Sequence, residues 1–121
     1  MTTILVIDDD EMIRQVLRRV LVLHGYGVHE AADGEEGLEK IGKLAPDLVV
    51  TDVSMPKKDG LSVIRELRSL GNGRPIVALA KLGDKTLEDA LNLGADRVVG
   101  KPFRLKTFLK VVEEVLERGA G

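Results

Sequence analysis

The sequence predicts a single α/β domain in which helices cover both faces of a doubly wound, five-stranded parallel sheet. Five short runs rich in β-branched residues alternate with five longer stretches whose apolar residues repeat at helical spacing. The apolar run Ile4–Ile7 is typical of a strand that is covered on both faces. The chain has 121 residues, and a typical domain has about 150, so residues 1–121 are expected to form one domain.

The five predicted strands are short, and most are continuously apolar. They comprise Ile4–Ile7, Tyr26–Glu30, Leu48–Val50 with its end at Asp52, Ile76–Leu79 and Val98–Val99. The fifth is the shortest, and we expect it at an edge of the sheet.

Each predicted helix has an apolar stripe with the spacing that places side chains on one helix face. The stripes are Ile13, Val16, Leu17, Val20 and Leu21; Leu38, Ile41 and Leu44; Leu61, Ile64 and Leu67; Leu87, Ala90 and Leu91; and Leu105, Phe108, Leu109, Val112, Val115 and Leu116. The first helix is expected to end at Gly25, because glycine suits the position after a helix. Asp33 and Gly34 are expected to open the second helix, and Met55–Gly60 to form a loop.

Composition excludes several classes of protein. Lys and Arg total 18 against 20 Asp and Glu, a net charge of -2, so direct nucleic-acid binding is not expected. Cysteine is absent, which excludes disulfides, thiolate metal sites and a cysteine nucleophile, and the cytoplasm is the expected compartment. No apolar run approaches the roughly 20 residues of a membrane helix, and we expect no membrane contact.

Candidate site residues follow four of the predicted strands. In an open parallel sheet, ligands bind beyond the carboxyl ends of the strands, because loops and helix N-termini converge there. This rule selects Asp8 and Asp9 after strand one, Asp52 after strand three, Ala80 and Lys81 after strand four, and Lys101 after strand five. Neighbouring carboxylates repel one another unless a cation screens them, and oxygen ligands suit Mg²⁺. The sequence therefore predicts a metal-dependent phosphate site.

Each of these residues also has a simpler explanation when it is taken alone. Asp8–Asp10 can be a helix N-cap cluster, which accounts for one aspartate better than for three. Asp52 can cap a loop, and Lys101 with Pro102 can be a solvated turn. Their joint placement at strand ends is what favours a functional site.

Four segments resemble the receiver domain of two-component response regulators, and together they span essentially the whole chain. They are Ile4–Asp10, Asp47–Gly60, Gly94–Asp96 and Lys101–Phe103. The resemblance implies a flavodoxin-like (βα)5 fold with strand order 2-1-3-4-5. It also implies that Asp52 accepts a phosphoryl group from a sensor histidine kinase or a histidine phosphotransfer protein, with Lys101 as the counter-charge. Mg²⁺ would be held by Asp8, Asp9, Asp52 and the backbone carbonyl of Ser54.

The chain departs from the family pattern near the end of strand four and in strand five. Receiver domains carry Thr or Ser where this chain has Ala80, although a deleted hydroxyl residue is an alternative alignment. The aromatic switch residue of strand five is matched by Val98. Lys81 either narrows access to the site, binds phosphate or is simply solvated. Ser54 either tunes the phosphoryl lifetime or is an ordinary loop serine.

Three functional hypotheses from different classes compete. The first is a phosphoacceptor module that catalyses only its own phosphoryl transfer and dephosphorylation, and signals to an effector through helix 4, strand 5 and helix 5, a face carried over from the family. The second is a degenerate receiver that docks without phosphorylation, suggested by Ala80 and Val98. The third is an aspartate-nucleophile phosphatase, which Ser54 disfavours because it stands where a second aspartate is needed. We expect a monomer or weak homodimer.

Overall fold

A parallel α/β sheet is present in the computed structural model, which describes residues 1–53, 59–81 and 85–120. Within these residues the strands are β1 Thr3–Ile7, β2 Gly27–Ala31, β3 Leu48–Asp52, β4 Ile76–Lys81 and β5 Arg97–Lys101. The helices are α1 Glu11–Leu23, α2 Gly34–Leu44, α3 Gly60–Ser69, α4 Thr86–Leu93 and α5 Leu105–Ala120. All four strand pairs are parallel, in the order β2-β1-β3-β4-β5. The predicted fold class and strand order are confirmed, and β5 lies at an edge.

Alternate strand residues face opposite sides of the sheet, which divides the core into two layers. The layer under α2, α3 and α4, here called the α3-side layer, includes Leu5 and Val49. The layer under α1 and α5, here called the α5-side layer, includes Val6, Val50 and the fully buried Phe108. Because helices cover both faces, the segments Ile4–Ile7, Leu48–Val50 and Ile76–Leu79 are continuously apolar and buried, as the sequence predicts.

Several strand boundaries differ from the prediction. β2 begins at Gly27 because the Tyr26 N–H donates to the Leu21 carbonyl at the end of α1, 3.1 Å away. β4 continues to Lys81 and β5 to Lys101, and these two residues are direct partners in the parallel register. The sheet thus extends further toward its carboxyl edge than the apolar runs indicate.

Four side chains that were predicted to be core are exposed. They are Val16, Leu44, Leu91 and Leu105, with exposed fractions of 42%, 42%, 50% and 38%. In α1 the sheet contacts Leu17 and Leu21, and Val16 points about 100° away from Leu17 around the helix. Leu44 and Leu105 are the last residue of α2 and the first of α5, and Leu91 follows the buried Ala90. The apolar stripes are therefore wider than the arcs that touch the sheet.

Aspartate side chains start three of the helices next to the carboxyl edge of the sheet. Asp10 accepts hydrogen bonds from the backbone N–H groups of Met12 and Ile13, at 2.9 and 3.3 Å. Asp33 caps α2 and Asp59 caps α3 in the same way. Each cap satisfies N–H groups that have no partner within the helix. α1 ends before Gly25, whose φ of 90° confirms the predicted glycine position.

None of the helices in the described part of the chain has the length and apolar character needed to span a membrane.

Candidate functional site

Four charged side chains meet at the carboxyl ends of β1, β3 and β5. Lys101 Nζ lies 3.3 Å from Asp8 Oδ2 and 3.2 Å from Asp52 Oδ1. Asp8, Asp9 and Asp52 each present a carboxylate oxygen, and these oxygens lie within 4.8 Å of one another. The structure therefore brings together the charged residues that the sequence places after strands one, three and five.

Strand alternation explains why these side chains converge. Asp8, Asp52 and Lys101 each follow by two residues a valine of the α5-side layer, and those valines are Val6, Val50 and Val99. Residues two apart on a strand face the same side of the sheet. The two aspartates and the lysine consequently emerge on one face, just beyond the apolar layer.

Asp8 is fully buried and is held by backbone contacts. Its N–H donates to the Ala31 carbonyl at 3.1 Å, which continues the pairing of β1 with β2 by one residue. Its Oδ1 accepts the Asp10 N–H at 2.9 Å, and its carbonyl accepts a hydrogen bond from Arg14 Nη1 at 2.6 Å. The N-cap explanation of the aspartate run therefore holds for Asp10, whereas Asp8 and Asp9 belong to the carboxylate cluster.

Asp52 is the last residue of β3 and is 6% exposed. The Thr51 hydroxyl donates to its carbonyl oxygen at 3.0 Å, and the next residue, Val53, donates its N–H to the Leu79 carbonyl at 3.0 Å. The first residue of α3, Gly60, donates its N–H to the Val53 carbonyl at 3.1 Å. The backbone that carries the Asp52 carboxylate is thus fixed by both β4 and α3.

The electrostatics of the cluster favour a bound cation. Burial raises the pKa of Asp8, against the lowering effects of the Asp10 N–H and of Lys101. Burial also raises the pKa of Asp52, and repulsion from Asp8 adds to it. Burial lowers the pKa of Lys101, but the attraction of Asp8 and Asp52 outweighs it, so that pKa is raised overall. The single ammonium does not relieve the crowded carboxylates, and a further cation would.

The donor set fits a hard divalent ion. Asp8, Asp9 and Asp52 offer only oxygen atoms, which Mg²⁺ and Ca²⁺ prefer over softer metals. Asp9 is exposed, so the cluster opens to solvent on that side. These three carboxylates could hold a metal ion. Ser54, whose carbonyl the resemblance adds to the ligands, lies outside the described residues.

The remaining predicted positions lie around the cluster. Ala80 is 1% exposed and belongs to the α3-side layer, against which Val98 also packs. Lys81 is exposed. The Lys101–Pro102 peptide bond is cis. Ala80 has no hydroxyl group, and Val98 has no aromatic ring. Neither residue therefore supplies the feature that the family pattern has at its position.

A mostly apolar cavity next to the cluster was missed by the sequence analysis. Its volume is about 600 Å³, and it is lined by Met12, Ile13, Val16, Leu17, Lys81, Lys101, Pro102, Phe103 and Leu105. The signal in the sequence that could have indicated it is Met12, an apolar residue outside the stripe of α1. In the structure the Met12 side chain is 74% exposed. Arg14, which contacts the Asp8 carbonyl, was also missed.

Comparison with known proteins identifies the family. Residues 4–113 match the family model of the response regulator receiver domain. The chain is 45% identical over 124 residues to the response regulator MprA of Mycolicibacterium vanbaalenii, covering 98% of this chain and 54% of that protein. It is 43% identical over 116 residues to MprA of Mycobacterium leprae, covering 95% and 51%. The chain thus spans about half the length of the curated relatives it matches.

Solved structures give the same result. The chemotaxis protein CheY4 of Vibrio cholerae superimposes with a TM-score of 0.87 at 32% identity, covering 95% of this chain and 98% of that one. The receiver domain of NtrX from Brucella abortus gives a TM-score of 0.89 at 31% identity, covering 94% and 98%. A CheY-like receiver domain protein of Methanospirillum hungatei gives 0.93 at 27% identity, covering 99% and 97%. This chain belongs to the receiver domain family of two-component response regulators.

Proposed function

We propose that this chain accepts a phosphoryl group on Asp52 and passes on the signal by contact with other proteins. The observation that carries the proposal is the position of Lys101 Nζ, within 3.3 Å of carboxylate oxygens of both Asp8 and Asp52 at the carboxyl edge of the sheet. A nucleophilic carboxylate, an acidic cation site and a fixed ammonium are the parts that phosphoryl transfer to an aspartate needs.

Asp52 is the proposed nucleophile. One of its carboxylate oxygens forms a bond to phosphorus while the bond from phosphorus to the donor breaks, and the electron pair leaves on the donor. An acyl phosphate leaves as a carboxylate, and a phosphohistidine leaves as neutral imidazole when its other ring nitrogen carries a proton. Hydrolysis reverses the modification, because water attacks phosphorus and releases inorganic phosphate and the Asp52 carboxylate.

Lys101 is proposed to stabilise the transferred group. Its ammonium already contacts Asp52 Oδ1 at 3.2 Å and is 25% exposed, so it is in place before a donor arrives. A fixed positive charge placed where phosphoryl oxygens gather lowers the barrier more than a mobile one, because it need not reorganise.

Asp8, Asp9 and Asp52 are the described residues that would hold Mg²⁺, and the Ser54 carbonyl stays a prediction from the family resemblance. When bound, the ion would neutralise charge on the phosphoryl oxygens. Asp8 is positioned for this by the Asp10 N–H on its Oδ1, which leaves Oδ2 directed at Lys101 and the cluster.

The proposed donors are a sensor histidine kinase or a histidine phosphotransfer protein. The proposed output surface is the face formed by α4, β5 and α5, through which a downstream effector protein or domain would be contacted. We further propose that the chain is not a turnover enzyme and catalyses only reactions of its own Asp52. Cytoplasmic localisation and a monomeric or weakly dimeric state stay predictions.

The alternative, a docking module that works without phosphorylation, is less well supported. It rests on Ala80 and Val98, which stand where the family pattern has a hydroxyl residue and an aromatic residue. A chain under no demand for transfer has no reason to keep two mutually repelling buried carboxylates, since such pairs cost stability.

Intact mass after incubation with acetyl phosphate and Mg²⁺ tests the acceptor proposal. We expect the native chain to gain one phosphoryl group, and Asp52→Asn, which keeps the shape and removes the nucleophile, to gain none. Lack of labelling in the native chain, under conditions that label an ordinary receiver, would favour the docking module. Equal labelling of native and Asp52→Asn would show that another residue is the acceptor.

A further inference from the structure

We propose that Lys81 is a second phosphoryl-binding cation, acting from β4 beside Lys101 on β5. The inference rests on the proposed acceptor function and adds a residue that sets how the chain recognises its phosphoryl donor. Lys81 stands directly after Ala80, whose methyl group offers no hydrogen-bond donor to an incoming phosphoryl group.

Strand register places Lys81 and Lys101 side by side. They are direct partners in the parallel pairing of β4 with β5, so their strands lie about 4.8 Å apart at this level. Lys81 follows by two residues Leu79 of the α5-side layer, just as Lys101 follows Val99. Both lysines therefore belong to the face of the sheet from which Asp8 and Asp52 emerge.

In the order of the strands, Lys81 on β4 is one strand away from Asp52 on β3, whereas Lys101 on β5 is two strands away. β4 is the immediate neighbour of β3, and Asp52 pairs with Leu79. Lys81 begins two residues beyond that level, about 7 Å further along the strand, which is where a group attached to the Asp52 carboxylate would extend. Lys101 reaches Asp52 Oδ1 from one strand further away.

The charges around the two ammonium groups differ. Lys101 is already engaged by Asp8 and Asp52. In the described part of the chain, Lys81 is exposed and has no ion pair or side-chain hydrogen bond. Both lysines line the same 600 Å³ cavity, whose other walls are apolar. A donor that presents its phosphoryl group to Asp52 beyond the ends of β4 and β5 would meet Lys81 as the uncommitted cation.

The test compares two substitutions. Lys81→Met keeps a long, unbranched side chain and removes the charge, whereas Lys81→Arg keeps the charge. Lys110→Met is the matched control, because Lys110 is an exposed lysine on α5 outside the cavity. Acetyl phosphate and monophosphoimidazole serve as donors in Mg²⁺, and intact mass gives the phosphorylation rate constant. Two donors are used because they share the phosphoryl group and differ in the leaving group.

We expect Lys81→Met to lower the second-order rate constant of phosphorylation about twofold to fivefold with both donors, the size of effect that one exposed, salt-screened charge produces. The loss should fall on the apparent KM, since Lys81 would contact the phosphoryl group before and during transfer. Lys81→Arg should keep at least half of the native rate, and Lys110→Met all of it. The native rate should fall more steeply with added salt than that of Lys81→Met.

Several results would overturn the proposal. Equal rates for native and Lys81→Met would leave Lys81 a solvated lysine, and a faster Lys81→Met would make it an obstruction to access. A slow Lys81→Arg would assign the effect to side-chain shape, and slowing with one donor alone would assign it to the leaving group. If neither donor labels the native chain, the acceptor proposal itself fails. If both donors label the native chain and Lys81→Met at the same rate, only the Lys81 proposal fails.

Discussion

A β-carbon at Gly60 would lie 2.1 Å from the backbone oxygen of Asp52. It would also lie 2.8 Å from the Cα atom of Val53. The contact is backbone against backbone, so no flexible side chain can move away to relieve it. The absence of a side chain at the first residue of α3 is therefore what allows this helix to start directly against the end of β3, where the proposed acceptor lies.

Gly60→Ala is expected to destabilise the protein by about 2 kcal/mol or more, because α3 must move away from β3 or the Asp52 backbone must distort. It should also slow phosphorylation of Asp52, since the displaced backbone carries the carboxylate. Chemical denaturation measures the first effect and intact mass with acetyl phosphate the second. Unchanged stability and labelling together would contradict the close approach.

Gly42→Ala is the matched control for that substitution. Gly42 lies in α2, and a β-carbon there meets no atom within 4 Å. Alanine in an exposed helical position is more favourable than glycine by up to about 1 kcal/mol. We therefore expect Gly42→Ala to raise the free energy of unfolding slightly, so the two glycine substitutions should shift stability in opposite directions.

Asp52→Asn should stabilise the metal-free protein at neutral pH. Burial first, and then the charge of Asp8, raise the pKa of Asp52 in the folded protein. The folded state therefore binds more protons than the unfolded chain at any pH between the unfolded pKa, about 3.9, and the higher folded pKa. By linkage, the stability that this carboxyl contributes is complete below its unfolded pKa and is lost as pH rises through its folded pKa. Asparagine has no such loss.

The measurement is the free energy of unfolding of native and Asp52→Asn from pH 4 to pH 7 in EDTA. We expect the advantage of Asp52→Asn to grow with pH and to reach about 1 kcal/mol at pH 7. Glu113→Gln, at an exposed position of α5, is the control and should show no comparable trend. An advantage that is constant or shrinks as pH rises would mean that the folded protein does not disfavour the charged Asp52.

The fold and the charged cluster could be predicted because both depend on local patterns. Runs such as Ile4–Ile7 have the composition of doubly covered strands, and the topology of a parallel sheet then sends Asp8, Asp52 and Lys101 to one edge. The pleat of a strand alone places residues two apart on the same face of the sheet. Hence the convergence required no knowledge of how the helices pack.

What could not be predicted depends on packing between elements. Val16 has the spacing of a core residue, but only the tertiary arrangement shows that it lines a cavity with Phe103 from beyond β5. The pairing of Lys81 with Lys101 was hidden because neither apolar run extends to those residues. The approach of Gly60 to Asp52 likewise depends on the angle at which α3 leaves the sheet.

Asp9→Asn should weaken Mg²⁺ binding without unfolding the protein, because Asp9 is the exposed member of the carboxylate cluster. A ligand that binds only the folded state, at ten times its dissociation constant, raises the free energy of unfolding by about 1.4 kcal/mol. We expect Mg²⁺ to raise the melting temperature of the native chain over that in EDTA, and to do so less for Asp9→Asn at the same concentration.

The neighbouring substitution Asp10→Asn provides the control for Asp9→Asn. Asp10 caps α1 through its Oδ1, and asparagine caps helices about as well as aspartate. The Mg²⁺-dependent rise in melting temperature should therefore be native-like in Asp10→Asn. An undiminished rise in Asp9→Asn would remove Asp9 from the proposed ligands.

Restoring the family's residues at Ala80 and Val98 should widen the response to phosphorylation. Ala80→Thr adds a hydroxyl that can bond a phosphoryl oxygen, and Val98→Tyr adds an aromatic side chain in β5 on the same face of the sheet, so that a change at Asp52 can bias a second element. Amide chemical shifts on addition of beryllofluoride with Mg²⁺ report the response. We expect changes near the charged cluster in the native chain and changes that reach α4 and β5 in the double variant.

The control is Ala80→Val combined with Val98→Tyr, which matches the bulk of the double variant without the hydroxyl and should behave like the native chain. If this control responds as widely as the threonine variant, the hydroxyl is not what limits the switch. The same conclusion follows if neither variant responds more widely than the native chain.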